Sequence, residues 1–422
     1  MQLSDTVNIS ATNGIVSANG VTSPTIYVNG KTGTTIQANQ WNHIVITTAT
    51  PIVANEISLG SNHTTYYSGR LDEIKAYPYA RTKAQIQTDY NAGLAGISAN
   101  EGTTASFGDA SDKWMSDGLV GYWKMDESSW NGTSGEVKDA SGNNNNGTAV
   151  NGATTGAGKF GSGGSFDGSN YVSINNSASL SSGVGNFAVT AWFKSNTSAP
   201  AQYIYNDYGS NVQNLISVAI SGDNALLAYF RDVNGNILSV DLSNSVTDNN
   251  WHHVAWIKDG ATAYLYLDGV LVGNNTNTAI GNINVSDGTC PSIGGYSCSS
   301  SYAFNGKIDE TRIYNRALSP AEIKKLYDWA PAPVAHWKLD EKTGTSANDS
   351  SGNGNTGTLT NGPTWTQGKV GNGMNFDGSN DYVAIPDSNS LDTTSGVTLA
   401  GWVKFNALTE YCPVLNPLNQ YC

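Results

Sequence analysis

The chain has 422 residues, and at about 150 residues per domain that length suggests two to three domains. Lys and Arg number 21 against 34 Asp and Glu, giving a formal net charge of −13, and charged residues make up only 13% of the chain while Gly contributes 47 positions. These figures exclude a helical bundle, which is rich in Ala, Leu, Glu and Lys, and a charged disordered chain, because 11 Trp and 21 Tyr carry too much aromatic surface to stay in water. They also speak against a nucleic-acid footprint or an anionic membrane surface as partner, and leave an acidic, β-rich protein with Gly, Asn and Ser turns.

The start, MQLSDTVNISATNG, has neither a basic nor an apolar region of the signal-peptide kind. No apolar run reaches the roughly 18 residues of a membrane span, so no membrane insertion is expected. The apolar run WNHIVI, from Trp41, reads as a strand, and IYVNG precedes it. SGRLDEIKAYPYARTKAQI follows from Ser68, with Thr82 and Gln85 spaced as a helix-capping box. Residues 99–116 read as a linker.

From residue 117 the pattern becomes fuller. VGYWKMDES, DASGNNNNGTAVNG and GKFGSGGSFDGSNYVSI lead into FAVTAWFK, where Phe187, Val189, Ala191 and Phe193 share one face at the period of a sheet strand. WHHVAW, ATAYLYLDG and the run from Val270 read as further strands, with a tight-turn signal at Asp268-Gly269. The segment closes on one short helix: Ser319 as N-cap, Pro320 at the first helical position and Glu322 three after the cap. Ala-Pro-Ala-Pro at 330–333 is a stiff connector.

Much of this returns after residue 331. VAHWKLDEK, DSSGNGNTGTLTNG, GKVGNGMNFDGSNDYVAI and AGWVK match the earlier blocks in order; Trp123 and Trp337 lie 214 positions apart, and both Asp139/Asp349 and Trp192/Trp402 lie 210 apart. The N-terminal WNHIVI and SGRLDEIKAY blocks match WHHVAW and NGKIDETRIY. A near-constant offset marks duplicated domains. Residues 1–98 therefore read as the C-terminal part of a unit, 117–330 as a complete unit and 331–422 as the N-terminal part of a third, a window from a longer array. The flanks could complement one another into a second sandwich. Many short strands with Gly/Asn turns define the expected class: all-β, an antiparallel β-sandwich of jelly-roll type, in tandem repeats with one short C-terminal helix per unit.

The ordered set YWKMDE, DASGNNNNGT, FDGSNYV, AWFK, WHHVAW, YLDG and IDETRIYNRALSPAEI resembles the LamG-like jelly-roll domain, of laminin G/pentraxin type, in the concanavalin A-like lectin/glucanase superfamily. The resemblance implies stacked antiparallel sheets in modules of exported bacterial proteins, extracellular or at the cell surface. The N-terminal flank departs from it, since IYVNG comes before its WxH strand whereas YLDG comes after.

Relatives that cleave glucans carry E-x-D-x-x-E on one strand, and no Glu here is followed by Asp two residues on. Asp309-Glu310 and Asp72-Glu73 are adjacent, so strand alternation sends their side chains to opposite faces. No nucleophile elbow is present. No catalysis is expected. The superfamily's calcium, bridging the first and last strands, would fall on Asp126 and Asp309, with Asp139 opening an oxygen-rich loop that runs to Asn146; the alternative is that these groups hold backbone. His43 and His253, each two after a Trp, are either ligands or buried rings bonded to a loop. Tyr203, Tyr205 and Tyr208 cluster in an expected loop, either as a platform for sugar rings or as strand filling. Cys290 and Cys298 either close a disulfide or stay two thiols. The expected function is a non-catalytic binding or adhesion module that recognises glycan or surface protein, with Ca²⁺ as the implied cofactor. The alternatives are a structural spacer and an accessory region of a larger glycoside hydrolase.

Overall fold

A computed structural model describes residues 1–4, 7–62, 64–95, 115–174, 179–180, 185–197, 201–208, 215–281, 291–296, 299–394 and 396–408. The chain forms two compact units, one of Met1–Thr103 with Pro331–Cys422, the other of Thr104–Ala330. The expected linker 99–116 and all four cysteines fall outside the described residues, apart from Met115 and Ser116. No helix among the described residues is long and apolar enough to cross a membrane.

The unit Thr104–Ala330 is a β-sandwich in which every pairing is antiparallel. One sheet runs Thr154–Ala157, Ser162–Asp167, Asn305–Tyr314, Phe187–Lys194, His252–Asp259, Thr262–Leu267, Val270–Thr276, with Leu119–Trp123 also on Asn305–Tyr314. The other runs Ile237–Ser245, Ala225–Arg231, Leu215–Ile220, Gln202–Tyr208, Ser292–Ile293, Tyr171–Ile174, Gly147–Val150. Alternate residues from both sheets form one core around Trp123, Phe193, Phe230, Trp256 and Phe304, all fully buried. The α-helix Pro320–Asp328 follows the last strand, and its Ser319 and Glu322 form the expected reciprocal cap.

The other unit takes strands from both ends of the chain. Its large sheet runs Thr364–Gln367, Asn372–Asp377, Ser68–Tyr77, Val397–Phe405, Asn42–Thr48, Thr25–Val28, Lys31–Thr32. Position for position this is the order of the first sheet above. Among the described residues the facing sheet has four strands, Ser346–Ala347, Gly357–Thr360, Tyr382–Ile385 and Ile57–Leu59, and a hairpin pairs Asn8–Thr12 with Ile15–Asn19. Thr82 and Gln85 cap the helix Lys83–Leu94 as their spacing predicts.

The displaced IYVNG block now has a physical explanation. Asn29 and Gly30 both have positive φ (51° and 74°), as do Asp268 and Gly269 (52° and 76°), the signature of a type I′ hairpin. The His43 backbone N–H donates to Asn29 Oδ1 at 2.8 Å, and that of His253 donates to Asp268 Oδ1 at 2.8 Å. The two hairpins fill the same sheet position with reversed chain order.

Candidate functional site

The Asp-x-Ser-Gly loop is built by its first residue. Asp139 Oδ1 accepts the backbone N–H groups of Tyr122 and Ser141, both at 2.9 Å, while Oδ2 accepts the Ser141 hydroxyl at 2.8 Å and the Asn145 N–H at 2.9 Å. Asp349 repeats the pattern with His336, Ser351 and Asn355. Both oxygens of Asp139 are thus occupied by its own surroundings.

Asp309 and Asp126 are brought together at another place, the turn at 158–162. Asp309 Oδ2 accepts the N–H groups of Lys159 at 2.7 Å and Phe160 at 3.0 Å, and Asp126 Oδ1 accepts that of Ser162 at 3.1 Å. Asp309 is fully buried, and burial pushes its carboxyl well above the usual carboxylate range. Its Oδ1 has no hydrogen-bond partner. Among the described residues no three His, Cys, Asp or Glu side chains are grouped to hold a metal ion. The donor set departs from the calcium expectation: Asp126, Asp139 and Asp309 do not form one cradle, and a cation that takes six to eight oxygens would have to compete with backbone donors already in place.

Adjacent Asp309 and Glu310 do not obey simple alternation. The pairing of Phe187–Lys194 with Asn305–Tyr314 jumps from Thr190↔Arg312 to Trp192↔Asp309, and Glu310 has φ of 53°. This bulge leaves Ile308 and Ile313 both in the core, so an odd number of steps separates two inward residues. Glu310 lies beside Asp309 rather than opposite it, and raises the Asp309 carboxyl further by like-charge repulsion. Glu310 is buried in an ion pair with Arg312 and accepts the Tyr122 hydroxyl at 2.6 Å. The same bulge occurs at Glu73, with φ of 51°.

His253 is fully buried, with neither ring nitrogen hydrogen-bonded; its ring packs 5.2 Å from Trp192 and 6.2 Å from Tyr327. Burial holds its pKa down at about 3. His43 sits likewise against Trp402 and Tyr90, also at about 3. These rings are packing elements. It is His252 that reaches loop carboxylates, at 2.9 Å to Asp268 and 3.0 Å to Asp248.

The tyrosines are on the strand Gln202–Tyr208, not in a loop. Its pairing with Leu215–Ile220 shifts between Tyr203 and Tyr205, which reverses the side-chain faces. Ile204 and Tyr205 both enter the core, Tyr205 at 1% exposure. Tyr205 is therefore removed from the candidate ligand set. Tyr203 and Tyr208 remain half-buried on the face away from the core. There they meet two tyrosines that sequence reading missed: Tyr296 lies 4.9 Å from Tyr203 and 5.6 Å from Tyr208, and Tyr302 lies 6.0 Å from Tyr296 and 6.4 Å from Tyr203. The adjoining strands add Tyr229, opposite Ser217, and Arg231, which donates to the Tyr229 hydroxyl at 2.8 Å. Small Ser217 and Ala219 lie between them, Ala219 directly opposite Tyr203. Tyr302 is 51% exposed and has a φ of 59°, a conformation uncommon for a bulky residue. Burial, then the neighbouring tyrosines, pushes Tyr203 up to about 12, so its hydroxyl stays a neutral donor and acceptor.

Two antiparallel sheets with a capped helix after the last strand define a jelly-roll sandwich module. Residues 166–324 match the model of the family Laminin_G_3, described as the concanavalin A-like lectin/glucanases superfamily. No curated protein matches the chain in sequence. Among solved structures, domain 4 of AbnA, a GH43 extracellular arabinanase from Geobacillus stearothermophilus in complex with arabinotriose, is 19% identical with a TM-score of 0.40, over 50% of this chain and 98% of that one. The binding domain of Paraclostridial Mosquitocidal Protein 1 is 14% identical with a TM-score of 0.43, over 69% and 92%. The Ruminococcus gnavus IT-sialidase CBM40 is 16% identical with a TM-score of 0.30, over 34% and 84%. Likenesses at this level concern shape, and nothing about a ligand follows from them.

Proposed function

We propose that the unit Thr104–Ala330 is a non-catalytic carbohydrate-binding module of an extracellular or surface protein, and that it holds a glycan on the outward face of Tyr203, Tyr208, Tyr229, Tyr296 and Tyr302. The observation that supports this reading is the tyrosine cluster itself: five partly exposed rings on one sheet face, four of them linked by ring contacts of 4.9–6.4 Å. A sugar presents an apolar C–H face and a rim of hydroxyls. Tyrosine answers both, with an apolar ring and a polar tip, and rings braced on a sheet lose little side-chain freedom on binding. Glycan is favoured over a protein partner because the small Ser217 and Ala219 leave the rings of Tyr203, Tyr208 and Tyr229 standing beside open backbone, a flat aromatic platform with hydroxyl tips.

A glycan array of the full chain tests the reading, followed by calorimetry of Tyr302→Ala and Tyr203→Ala on whichever glycan binds. Each variant is expected to weaken binding roughly tenfold, which is about 1.4 kcal/mol. Binding is expected to persist in EDTA, because both oxygens of Asp139 and Oδ2 of Asp309 already accept hydrogen bonds from the protein itself. Unchanged affinity in both variants would overturn the site; no binding across the array would overturn recognition in favour of a spacer.

A further inference from the structure

Only 21 of the 422 residues are Lys or Arg, yet in each unit two of them face each other directly. In Thr104–Ala330, Lys194 pairs with Lys307 between the strands Phe187–Lys194 and Asn305–Tyr314. In the flank-built unit, Lys404 pairs with Arg70 between Val397–Phe405 and Ser68–Tyr77. Directly opposite residues of an antiparallel pair share a face with Cβ atoms about 4.5–5.5 Å apart, and like charges there are destabilising. All four side chains are partly buried. Among the described residues, no carboxylate forms an ion pair with any of the four. Burial, then the charge of Lys194, holds the Lys307 ammonium below its usual range. Stability does not account for a like-charged pair kept at one place in both units of an acidic chain. An anion that bridges the two cations does.

The row continues on both sides of the pair. Ser165 lies opposite Lys307 on the next strand, and Trp251 lies beside Lys194, one step beyond the pair Phe193↔His252. The flank-built unit has Asn375 opposite Arg70, and Trp41 one step beyond Val403↔Asn42. Strand alternation puts Trp251 on the face of His253, away from the core, and its side chain is partly exposed. The carboxylates nearby are otherwise engaged. Asp309 keeps its proton, because burial pushes its carboxyl well above the usual range. Asp167 accepts the Ser169 N–H and hydroxyl at 2.9 and 2.7 Å, and Asp248 is held by Asn250 and His252. Lys307 Nζ leans towards Gly156, where a Cβ would lie 2.8 Å from it; its flexible stem lets it turn to an anion above Ser165. A nucleic acid is held through many phosphates, which one pair of cations in a chain of net charge −13 cannot supply. The row from Ser165 to Trp251 spans about 14 Å at the ~4.8 Å spacing of strands, more than a single ion needs. At its end the Trp ring offers an apolar face to the C–H side of a sugar.

We propose that the row formed by Ser165, Lys307, Lys194 and Trp251 binds an acidic sugar, with its sulfate or carboxylate between the two lysines and its ring against Trp251. The row is on the other sheet from the tyrosine face, and the inference does not rest on that site.

Calorimetric titration of the full chain at low salt tests it, in a background of Arg70→Gln and Lys404→Gln so that one row is read. The probes are a heparin tetrasaccharide, tetragalacturonate and, as a peptide of like charge, tetraglutamate. Binding of at least one of the two sugars is expected, weakening as NaCl is raised. Binding of the heparin fragment alone assigns the row to sulfate, and binding of tetragalacturonate alone assigns it to carboxylate. Lys307→Gln and Lys194→Glu should each weaken sugar binding at least tenfold without lowering the melting temperature, because each relieves the like-charge contact. Trp251→Ala should weaken it as well. No binding of either sugar, unchanged affinity in Lys307→Gln and Lys194→Glu, or tetraglutamate bound as tightly as the sugars would overturn the proposal.

Discussion

Asp72 Oδ2 accepts the backbone N–H of Lys369 at 2.7 Å across 297 positions of sequence. The Val370 N–H donates to the same oxygen at 2.7 Å, and Asp72 is fully buried with Oδ1 unpartnered. One side chain thus joins the two flanks that build a single unit, as Asp309 joins Lys159 in the other.

Burial pushes the Asp72 carboxyl up to about 8, with a smaller contribution from Glu73, against the opposing pull of the two N–H donors. The folded unit therefore keeps a proton that the unfolded chain releases near pH 3.9. The stabilisation is complete below that value and is lost as pH rises towards 8. Urea melts of the parent and Asp72→Asn between pH 4 and 9 should show the difference in their stabilities changing across this window. A difference that does not vary with pH would refute the assignment.

The two buried histidines act with the opposite sign. His43 and His253 are held near pKa 3 by burial, so each stays neutral in the fold while the unfolded imidazole charges near 6.5. Their contribution is full above 6.5 and is lost as pH falls towards 3. His253→Leu should flatten the acid side of the stability curve of Thr104–Ala330, measured by thermal melts from pH 3 to 7.

Alternation, caps and duplicated blocks carried most of the fold in the sequence. The strand Phe187–Lys194, both helices and the equivalence of Trp123 and Trp337 follow from periodicity and repetition. What alternation could not show were the bulges, because one extra residue changes which face every later side chain takes. That is why Tyr205 reads as a neighbour of Tyr203 yet lies in the core, and why Glu310 lies beside Asp309. Tyr296 and Tyr302 are nearly a hundred residues from Tyr203, and only the sheet brings them together. The hairpin at Asn29-Gly30 was hidden for a different reason: its position in the sheet is kept while its order in the chain is not.

Glu310, Arg312 and Tyr122 form a buried triangle: the Glu310 carboxylate pairs with Arg312, and Arg312 donates to the Tyr122 hydroxyl at 2.9 Å. Removing one charge leaves the other desolvated and unpaired, at about 3–5 kcal/mol. Glu310→Gln should fall in that range by urea denaturation, and Glu310→Gln/Arg312→Met should recover part of the loss. In the other unit His336 stands where Tyr122 does, 3.0 Å from Glu73, and Lys75 replaces Arg312.

Trp192 stacks on Tyr327 of the helix Pro320–Asp328, centroids 5.6 Å apart and planes 22° apart, and Trp402 stacks on Tyr90 at 5.8 Å and 24°. Each helix is thus held to its own sheet by a stacked aromatic pair, with the buried histidine of that sheet against the same tyrosine. Trp192 is 3% exposed, so Trp192→Ala should cost about 3–5 kcal/mol. Hydrogen exchange should show the amides of Pro320–Asp328 losing protection before those of the core strands. Equal loss throughout would mean that the helix does not depend on this contact.

Gly306 and Gly69 occupy the same place in the two units, at φ of 147° and 149°. A Cβ at Gly306 would lie 2.2 Å from the carbonyl oxygen of Lys194, and one at Gly69 would lie 2.2 Å from that of Lys404. Neither obstacle is a flexible side-chain end; both are backbone of the neighbouring strand, which must separate to admit a methyl group. Backbone strain of this kind costs about 1–3 kcal/mol, and the broken strand pairing adds to it. Because the strands concerned belong to separate compact units, calorimetry should resolve the effects. Gly306→Ala is expected to lower the transition of Thr104–Ala330 and Gly69→Ala that of the flank-built unit, each leaving the other transition in place. If either alanine moved both transitions together, the two units would have to unfold as one.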